Sequence, residues 1–313
     1  MTKINSLENG LPLARLLGAA GVFVILGTSW LSAQTSVIVD RRSGLRLLVD
    51  EGNALPALRL VLPGQPTSKA IQIIFPEHVT VREHGKSEAV HLYLWQPGHQ
   101  GERPAWRRVD QALEYEKELK RQVHMLARAT LESDGVRYHY EFVNRSGVDY
   151  DMLQAISDPR FFQSIFRDLR LERTYVHRKN GFELLASDMP ARLTMPLDQW
   201  LPSRYLDSYT WPVPPPEKRA VKDQGITYYN ASRPVDEPFI ATVSEDGKWI
   251  AATWNTDAGN VWTNPELTCQ HADSETSLKS GGTASLEVKT FVFKGTLEQL
   301  FTKVKQAPKL SSL

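Results

Sequence analysis

The sequence predicts an all-β protein, an antiparallel sandwich that ends in one short helix. Apolar and polar residues alternate over much of the chain, as in VRYHYEF at residues 136–142, which is typical of strands with one buried face. Asp134-Gly135 and Asp246-Gly247 stand between such runs, and Asp-Gly is a strong signal for a β-hairpin. Many strands joined by turns, with few helical segments, indicate a sandwich.

The expected elements follow in chain order. Residues 36–40 and 45–49 predict an early hairpin, and the runs at 112–119, 123–131 and 136–142 predict a meander. Further strands are expected at 57–62, 70–75, 78–83, 90–95, 149–157, 171–177, 181–187, 226–230, 238–244, 248–254 and 284–293. One helix is expected over residues 296–304, because Thr296 can cap it and an apolar face runs from Leu297 to Val304.

A proline-rich segment at residues 188–224 interrupts this pattern. It holds seven prolines together with the aromatic residues Trp200, Tyr205, Tyr209 and Trp211. Proline removes a hydrogen-bond donor from a sheet, so the segment is not expected inside one. The aromatic residues supply apolar area to bury, which argues against disorder. We therefore expect an ordered arm that lies over the sandwich.

Residues 1–33 predict a signal peptide. Lys3 and Arg15 precede an apolar run over residues 16–30, and Ser32-Ala33 offers the small residues of a cleavage site. Leu31 stands where a second small residue is usual, so an uncleaved membrane anchor is the alternative. We expect export to a secreted or periplasmic location, with residues 34–305 as one domain and 306–313 as a short tail.

The composition excludes several classes of function. The chain has 37 Lys and Arg against 36 Asp and Glu, with both signs mixed throughout, which argues against nucleic acid as a partner. Cys269 is the only cysteine, so no internal disulfide can form, and a small buried residue is expected there rather than a nucleophile. His78, His84 and His91 fit no metal-ligand spacing, and no phosphate-binding glycine loop occurs. No metal and no cofactor are expected.

Two expected strands carry polar and aromatic side chains that could line a ligand site. Alternation places each triplet on one face of its strand: His91, Tyr93 and Trp95 in HLYLW, and Arg173, Tyr175 and His177 in RTYVH. Aromatic rings can stack on a sugar, histidine can transfer protons, and arginine can bind a sugar oxygen or carboxylate. The alternative is that both are ordinary faces of amphipathic strands.

A third group lies within residues 254–273, which include Trp254, Trp262, His271 and Asp273. His271 and Asp273 are two residues apart, so an extended backbone places them on one face, where a carboxylate can orient an imidazole. A turn at Asn264-Pro265 could bring both tryptophans close to this pair. We expect these four residues to converge with Arg173 and His177 on one concave face. The alternative is that they are ordinary turn residues.

Two segments resemble galactose mutarotase-like proteins. At the end of the chain, SGGT is followed by ASLEVKTFVF and KGTLEQLF, similar to the glycine-rich turn, long strand and closing helix of that family. The middle segment VRYHYEFVNRSGVDYDM resembles the family's strand, turn and next strand. The resemblance implies a supersandwich fold and a carbohydrate-directed function. The Gly-His-Pro-Tyr-type motif and the late catalytic glutamate of the epimerases have no counterpart here, so mutarotase activity is not implied.

Two functions follow as hypotheses. The first is an exported carbohydrate-binding or carbohydrate-active protein whose groove is roofed by the 188–224 arm. Its catalytic residues would be Arg173, His177, His271 and Asp273, and its substrate-binding residues His91, Trp95, Trp254 and Trp262. The second is a non-enzymatic extracellular or envelope protein that binds another protein. The reaction, the sugar and the oligomeric state stay open in both.

Overall fold

The structure, a computed structural model, describes residues 37–53, 55–94, 104–211, 220–223, 225–231 and 233–307. The expected signal peptide, Trp95 and most of the expected tail lie outside the described residues. The described part of the chain forms three β-sheets and two α-helices. None of its helices has the length and apolar composition needed to span a membrane.

The strands in chain order are β1 (Val37–Val39), β2 (Arg46–Val49), β3 (Ala57–Val61), β4 (Ile71–Glu83), β5 (Ala89–Leu94), β6 (Arg107–Val109), β7 (Ala112–Leu119), β8 (Val123–Glu132), β9 (Gly135–Asn144), β10 (Tyr150–Arg160), β11 (Thr174–Arg178), β12 (Gly181–Leu184), β13 (Ser203–Ser208), β14 (Ala220–Asp223), β15 (Ile226–Asn230), β16 (Phe239–Val243), β17 (Trp249–Trp254), β18 (Ala258–Thr263), β19 (His271–Ser274), β20 (Thr276–Leu278) and β21 (Thr283–Lys294). The helices are α1 (Leu197–Trp200) and α2 (Leu297–Gln306). Apart from the parallel pair β13–β15, the sheet pairings are antiparallel. The prediction of an all-β antiparallel fold is confirmed.

The first sheet has the strand order β1-β2-β3-β4-β10-β20. Strand β4 pairs with β10 along one edge, and with β3 and then β5 along the other. The β4–β10 register shifts between Ile156, which pairs with His78, and Asp158, which pairs with Ile74. A bulge of this kind changes the direction of nearby side chains. The shift lies at the level of Glu77 and His78, both of which belong to the candidate site.

The second sheet has the strand order β12-β11-β16-β17-β21-β9-β8-β7-β6. Strands β7 to β9 form the expected meander, and their apolar face packs against the first sheet. Tyr115, Tyr138 and Tyr140 surround the ring of Phe75, and the Tyr115 hydroxyl donates to the Phe75 carbonyl at 2.7 Å. Burial of these large rings supplies much of the hydrophobic free energy that holds the two sheets together.

The third sheet has the strand order β14-β15-β13-β18-β19, and the proline-rich arm supplies its central strand. The expectation that the arm stays outside a sheet is wrong for β13, because no proline lies within residues 203–208 and their N–H groups remain available for pairing. Of the arm aromatics, Trp200 and Tyr205 are buried, as expected, while Tyr209 and Trp211 are partly buried. The ring of Tyr205 lies 5.0 Å from that of Trp200 and 4.9 Å from that of Tyr229, centroid to centroid.

The C-terminal helix α2 confirms the helix prediction. Thr296 accepts a hydrogen bond from the Gln299 backbone, and the Gln299 side chain accepts one from the Thr296 backbone, which forms a capping box. Leu300 and Val304 are buried against the second sheet, in a cluster that includes Phe291. The helix therefore covers one face of β16, β17 and β21.

Candidate functional site

The hairpin β18–β19 brings Trp262, His271 and Asp273 together. Trp262 and His271 are directly opposite in the antiparallel register, and their rings stack with centroids 3.8 Å apart at 8°. The Trp262 Nε1–H donates to Asp273 Oδ2 at 2.6 Å. Cross-strand neighbours of this kind are in direct side-chain contact. The sequence left open whether residues 254–273 form a site or a set of turns. In the structure this stretch contains a hairpin with three interacting side chains.

The carboxylate nearest His271 belongs to Asp158, at the end of β10. Asp158 Oδ1 lies 3.3 Å from His271 Nε2, and both side chains are almost fully buried. Arg160 Nε donates to the other oxygen, Asp158 Oδ2, at 2.5 Å, and Arg160 also bridges to Glu77 at 2.9 Å. We expected Asp273 to orient the imidazole. The structure shows instead that Asp273 binds the indole of Trp262, while Asp158 takes the position beside His271.

Burial and neighbouring charges shift the pKa values of Asp158 and His271 in opposite directions. Burial alone would raise the pKa of Asp158, but the adjacent His271, together with Arg160, holds it below its ordinary value. Burial alone would lower the pKa of His271, but Cys269 and Asp158 beside it raise that pKa well above the usual value. For Asp273, burial dominates and raises the pKa despite the Trp262 hydrogen bond and the charge of His271.

Three less buried side chains interact with this pair, Glu77, His78 and Trp262, and His91 contacts His78. We call these four residues the site rim. His78 and His91 meet edge to face with ring centroids 5.1 Å apart, and Thr80 Oγ1 lies 2.9 Å from His91 Nδ1. Burial, followed by the charges of His91 and His271, lowers the pKa of His78 to about 4. Burial and the charge of Asp158 raise the pKa of Glu77 against the opposing effects of His271 and Arg160.

Donor atoms suited to a metal ion occur at one place within the described residues. Asp158, Cys269 and His271, which we call the buried trio, offer a carboxylate oxygen, a sulfur and an imidazole nitrogen within 4.8 Å of one another. Cys269 is buried, as expected. Asp158 and its neighbour Arg160 are not among the residues predicted from sequence, because no local pattern links β10 to β19. Their visible signal is a pair of charged residues at the end of a strand whose residues are mostly buried.

Arg173, His177 and Trp254 do not join this site. His177 Nδ1 lies 2.6 Å from Asp236 Oδ1, and its ring stacks on Phe301 of α2. The Arg173 guanidinium donates to backbone carbonyls of Val243 and Arg167. Trp254 is 1% exposed in the cluster beneath α2, with its ring 5.9 Å from that of Phe291. The expected convergence of all six residues on one face therefore does not occur.

The alternation of β11 explains the separation of His177 from the hairpin. Thr174 Oγ1 contacts Asp168 and Thr242, and Gln270 donates to the same Thr242 hydroxyl from the β19 side. Residues at odd positions of β11 point the other way, so His177 lies on the face that α2 covers. Of the residues selected from sequence, the structure brings together Trp262, His271, Asp273 and His91, while Trp95 lies outside the described residues.

Comparisons with known proteins yield structural matches alone, because no protein-family model and no curated protein sequence matches the chain. The Slr1438 protein from Synechocystis sp. PCC 6803 matches with a TM-score of 0.50 and 12% identity, over 83% of this chain and 96% of that chain. A galactose mutarotase related enzyme from Lactobacillus acidophilus matches with a TM-score of 0.47 and 9% identity, over 84% and 98%. A putative aldose 1-epimerase from Escherichia coli K12 matches with a TM-score of 0.44 and 12% identity, over 83% and 100%.

At these identities the likeness concerns the fold alone. Structures described as galactose mutarotase related or galactose mutarotase-like are among the matches. The site residues described above rest on the geometry of this chain.

Proposed function

We propose that this chain is a carbohydrate-directed protein that binds a saccharide at the site rim. The observation that carries the proposal is the fixed orientation of Trp262, whose ring is stacked on His271 and whose Nε1–H is held by Asp273. An indole held rigidly beside polar groups suits a pyranose, which presents an apolar face and a belt of hydroxyls. His78 and His91, which meet edge to face, supply the polar contacts. The resemblance to galactose mutarotase-like proteins supports the choice of a sugar.

Glu77 and His78 are the groups that we propose for proton transfer. His78 stays neutral near neutral pH because burial and the charges of His91 and His271 lower its pKa to about 4, so it can accept a proton. Glu77 retains its proton to higher pH because burial and Asp158 raise its pKa. Paired groups whose surroundings push their pKa values apart are typical acid and base partners. The charges of the buried Asp158 and His271 contribute to the pKa shifts of both Glu77 and His78.

The proposal is tested by titrating the purified protein with a panel of mono- and oligosaccharides in a calorimeter. Trp262→Ala and His78→Gln should each weaken saccharide binding by about tenfold or more, equivalent to ~1.4 kcal/mol. His84→Gln is the matched control, because His84 lies on the surface with Asp151 and its side chain is 72% exposed. Binding of no saccharide, or unchanged binding in a folded Trp262→Ala variant, would contradict the proposal. A failure with every saccharide would favour the alternative of a protein-binding envelope protein.

We also propose that the chain is exported and that its leader is removed near Ala33-Gln34. The support is the order of charged residues, apolar run and small residues in the first 33 positions. Mass spectrometry of the protein made by its natural host tests this proposal. A native N-terminus that retains residues 1–30 would contradict cleavage and favour an anchor.

A further inference from the structure

The buried trio combines three kinds of metal ligand in one place. Asp158 is 1% exposed, Cys269 is 2% exposed and His271 is 1% exposed, and their donor atoms lie within 4.8 Å of one another. Thiolate, imidazole and carboxylate are the protein ligands that Zn²⁺ takes. The trio has no recognisable ligand spacing in the sequence because Asp158 is distant along the chain from Cys269 and His271.

The backbone explains how the trio forms. Arg160 and Cys269 form an antiparallel bridge between the end of β10 and the segment before β19. Counting outward from that bridge, Asp158 comes opposite His271, and alternate residues share a face. The Gln270 N–H donates to the Pro159 carbonyl at 3.1 Å, which holds the two segments together. The trio therefore sits on one face of a short two-stranded contact.

One polar oxygen of the trio makes no hydrogen bond. Among the described residues, Asp158 Oδ1 is buried and has no hydrogen-bond partner, although it lies 3.3 Å from His271 Nε2. Buried polar atoms are normally satisfied, so such exceptions call for an explanation, and an ion is one. Two ligands at zinc distances of about 2.0–2.1 Å in a tetrahedron are about 3.3 Å apart, which matches the Asp158–His271 separation.

We propose that Asp158, Cys269 and His271 bind one Zn²⁺ ion, which takes the place of the proton between His271 and Asp158. One carboxylate and one thiolate balance the two charges of the ion. Arg160 holds Asp158 through Oδ2, which leaves Oδ1 for the metal, in the manner of an outer partner that orients a ligand. Three protein ligands leave a fourth position for water or a bound molecule, as in catalytic zinc sites.

Cobalt(II) is the probe of choice because the chain has one cysteine. A thiolate–cobalt charge-transfer band in the near ultraviolet can therefore arise only at Cys269. We expect chelator-treated protein to develop this band with one equivalent of Co²⁺ and to lose it when Zn²⁺ is added. Cys269→Ser should give no such band. A folded wild-type protein that shows no thiolate band with Co²⁺ overturns the proposal, whatever the variants do.

Zinc affinity measured by competition with a chromophoric chelator supplies the second measurement. Loss of an outer partner alone weakens metal binding 10–100-fold, so His271→Ala, Cys269→Ser and Asp158→Asn should each weaken it by about 100-fold or more. His84→Ala, on the exposed surface beside Asp151, should bind Zn²⁺ like the wild type. Circular dichroism confirms that each variant is folded. Unchanged zinc affinity in folded Cys269→Ser and His271→Ala variants also overturns the proposal.

The zinc proposal and the proposed saccharide function can fail separately. The saccharide titration of the wild type and of Trp262→Ala is repeated on chelator-treated protein. Without metal, the difference between the two affinities measures the contribution of Trp262 to saccharide binding. The cobalt band reports on Cys269 and carries no information about sugars.

Discussion

Asp158 and His271 face each other across the junction of β10 and β19, with Oδ1 and Nε2 separated by 3.3 Å. Both groups are nearly excluded from water, and removal of one partner of such a pair leaves the other without compensation. The contact joins a strand of the first sheet to a strand of the third. It therefore ties the stability of the fold to the charge state of the site.

In the metal-free protein, Asp158→Asn should reduce stability more at low pH than at high pH. His271 has a raised pKa in the folded state, so its contribution is fully present below its unfolded pKa of about 6.5 and is lost as pH rises through the folded value. We expect a loss of about 2–4 kcal/mol near pH 6 and a smaller one near pH 9 in urea unfolding. Loss of the contact with Arg160 should lower the free energy of unfolding by the same amount at both pH values. Equal losses at the two pH values would show that His271 does not carry the effect.

His78→Gln should flatten the pH dependence of stability between about pH 6.5 and 4. His78 is held neutral by burial and by His91 and His271, against the opposing charge of Asp158. The unfolded chain takes up a proton on acidification where the folded one does not, so the wild type loses stability as pH falls from 6.5 toward 4. Over this range the free energy of unfolding should fall by about 3 kcal/mol more in the wild type than in the variant, at 1.36 kcal/mol per unit of pKa shift. Chemical unfolding across this range measures it, and parallel curves for the two proteins would contradict the lowered pKa.

Gly259→Ala should displace residues 209–211 of the proline-rich arm. The N–H groups of Tyr209, Thr210 and Trp211 all donate to the Gly259 carbonyl, and an added Cβ would lie 1.7 Å from the Trp211 indole nitrogen. Overpacking of this kind destabilises by about 1–3 kcal/mol, measured by thermal melts with tryptophan fluorescence. Gly52→Ala is the control, because its added Cβ would meet nothing closer than 3.8 Å. If Trp211→Ala fails to relieve the Gly259→Ala defect, the clash is not its cause.

Arg178→Met should destabilise the protein strongly, because Arg178 is paired with a fully buried carboxylate of the arm. Two of its guanidinium nitrogens donate to the two oxygens of Asp207 at 3.1 and 2.6 Å, which joins β11 to β13. The single variant leaves Asp207 uncompensated, at about 3–5 kcal/mol in urea unfolding. The double variant with Asp207→Leu should recover most of that loss, since no buried charge remains. Additive losses in the double variant would mean that the pair is not a coupled unit.

The local elements of this protein can be predicted from its amino-acid sequence. The alternating run at 136–142 is part of β9, Asp134-Gly135 turns between β8 and β9, and Thr296 caps α2 as its position indicated. The pairing of Trp262 with the His271–Asp273 stretch was also within reach, because a single hairpin contains all three residues. These features depend on residues that are close in sequence. The alternation of apolar residues, the residue types at turns and the capping residues of helices therefore predict them directly.

Contacts between side chains of strands that are distant along the chain could not be predicted in this way, because they depend on the tertiary fold. Alternation shows that Arg173 and His177 share a face, but it does not show that α2 covers that face. It likewise gives no sign that β13 lies at the centre of a sheet, or that Asp158 rather than Asp273 stands beside His271. A period assigns a residue to one side of a strand. Which layer packs on that side depends on how all the apolar faces of the chain are buried together. A short stretch of sequence does not contain that information.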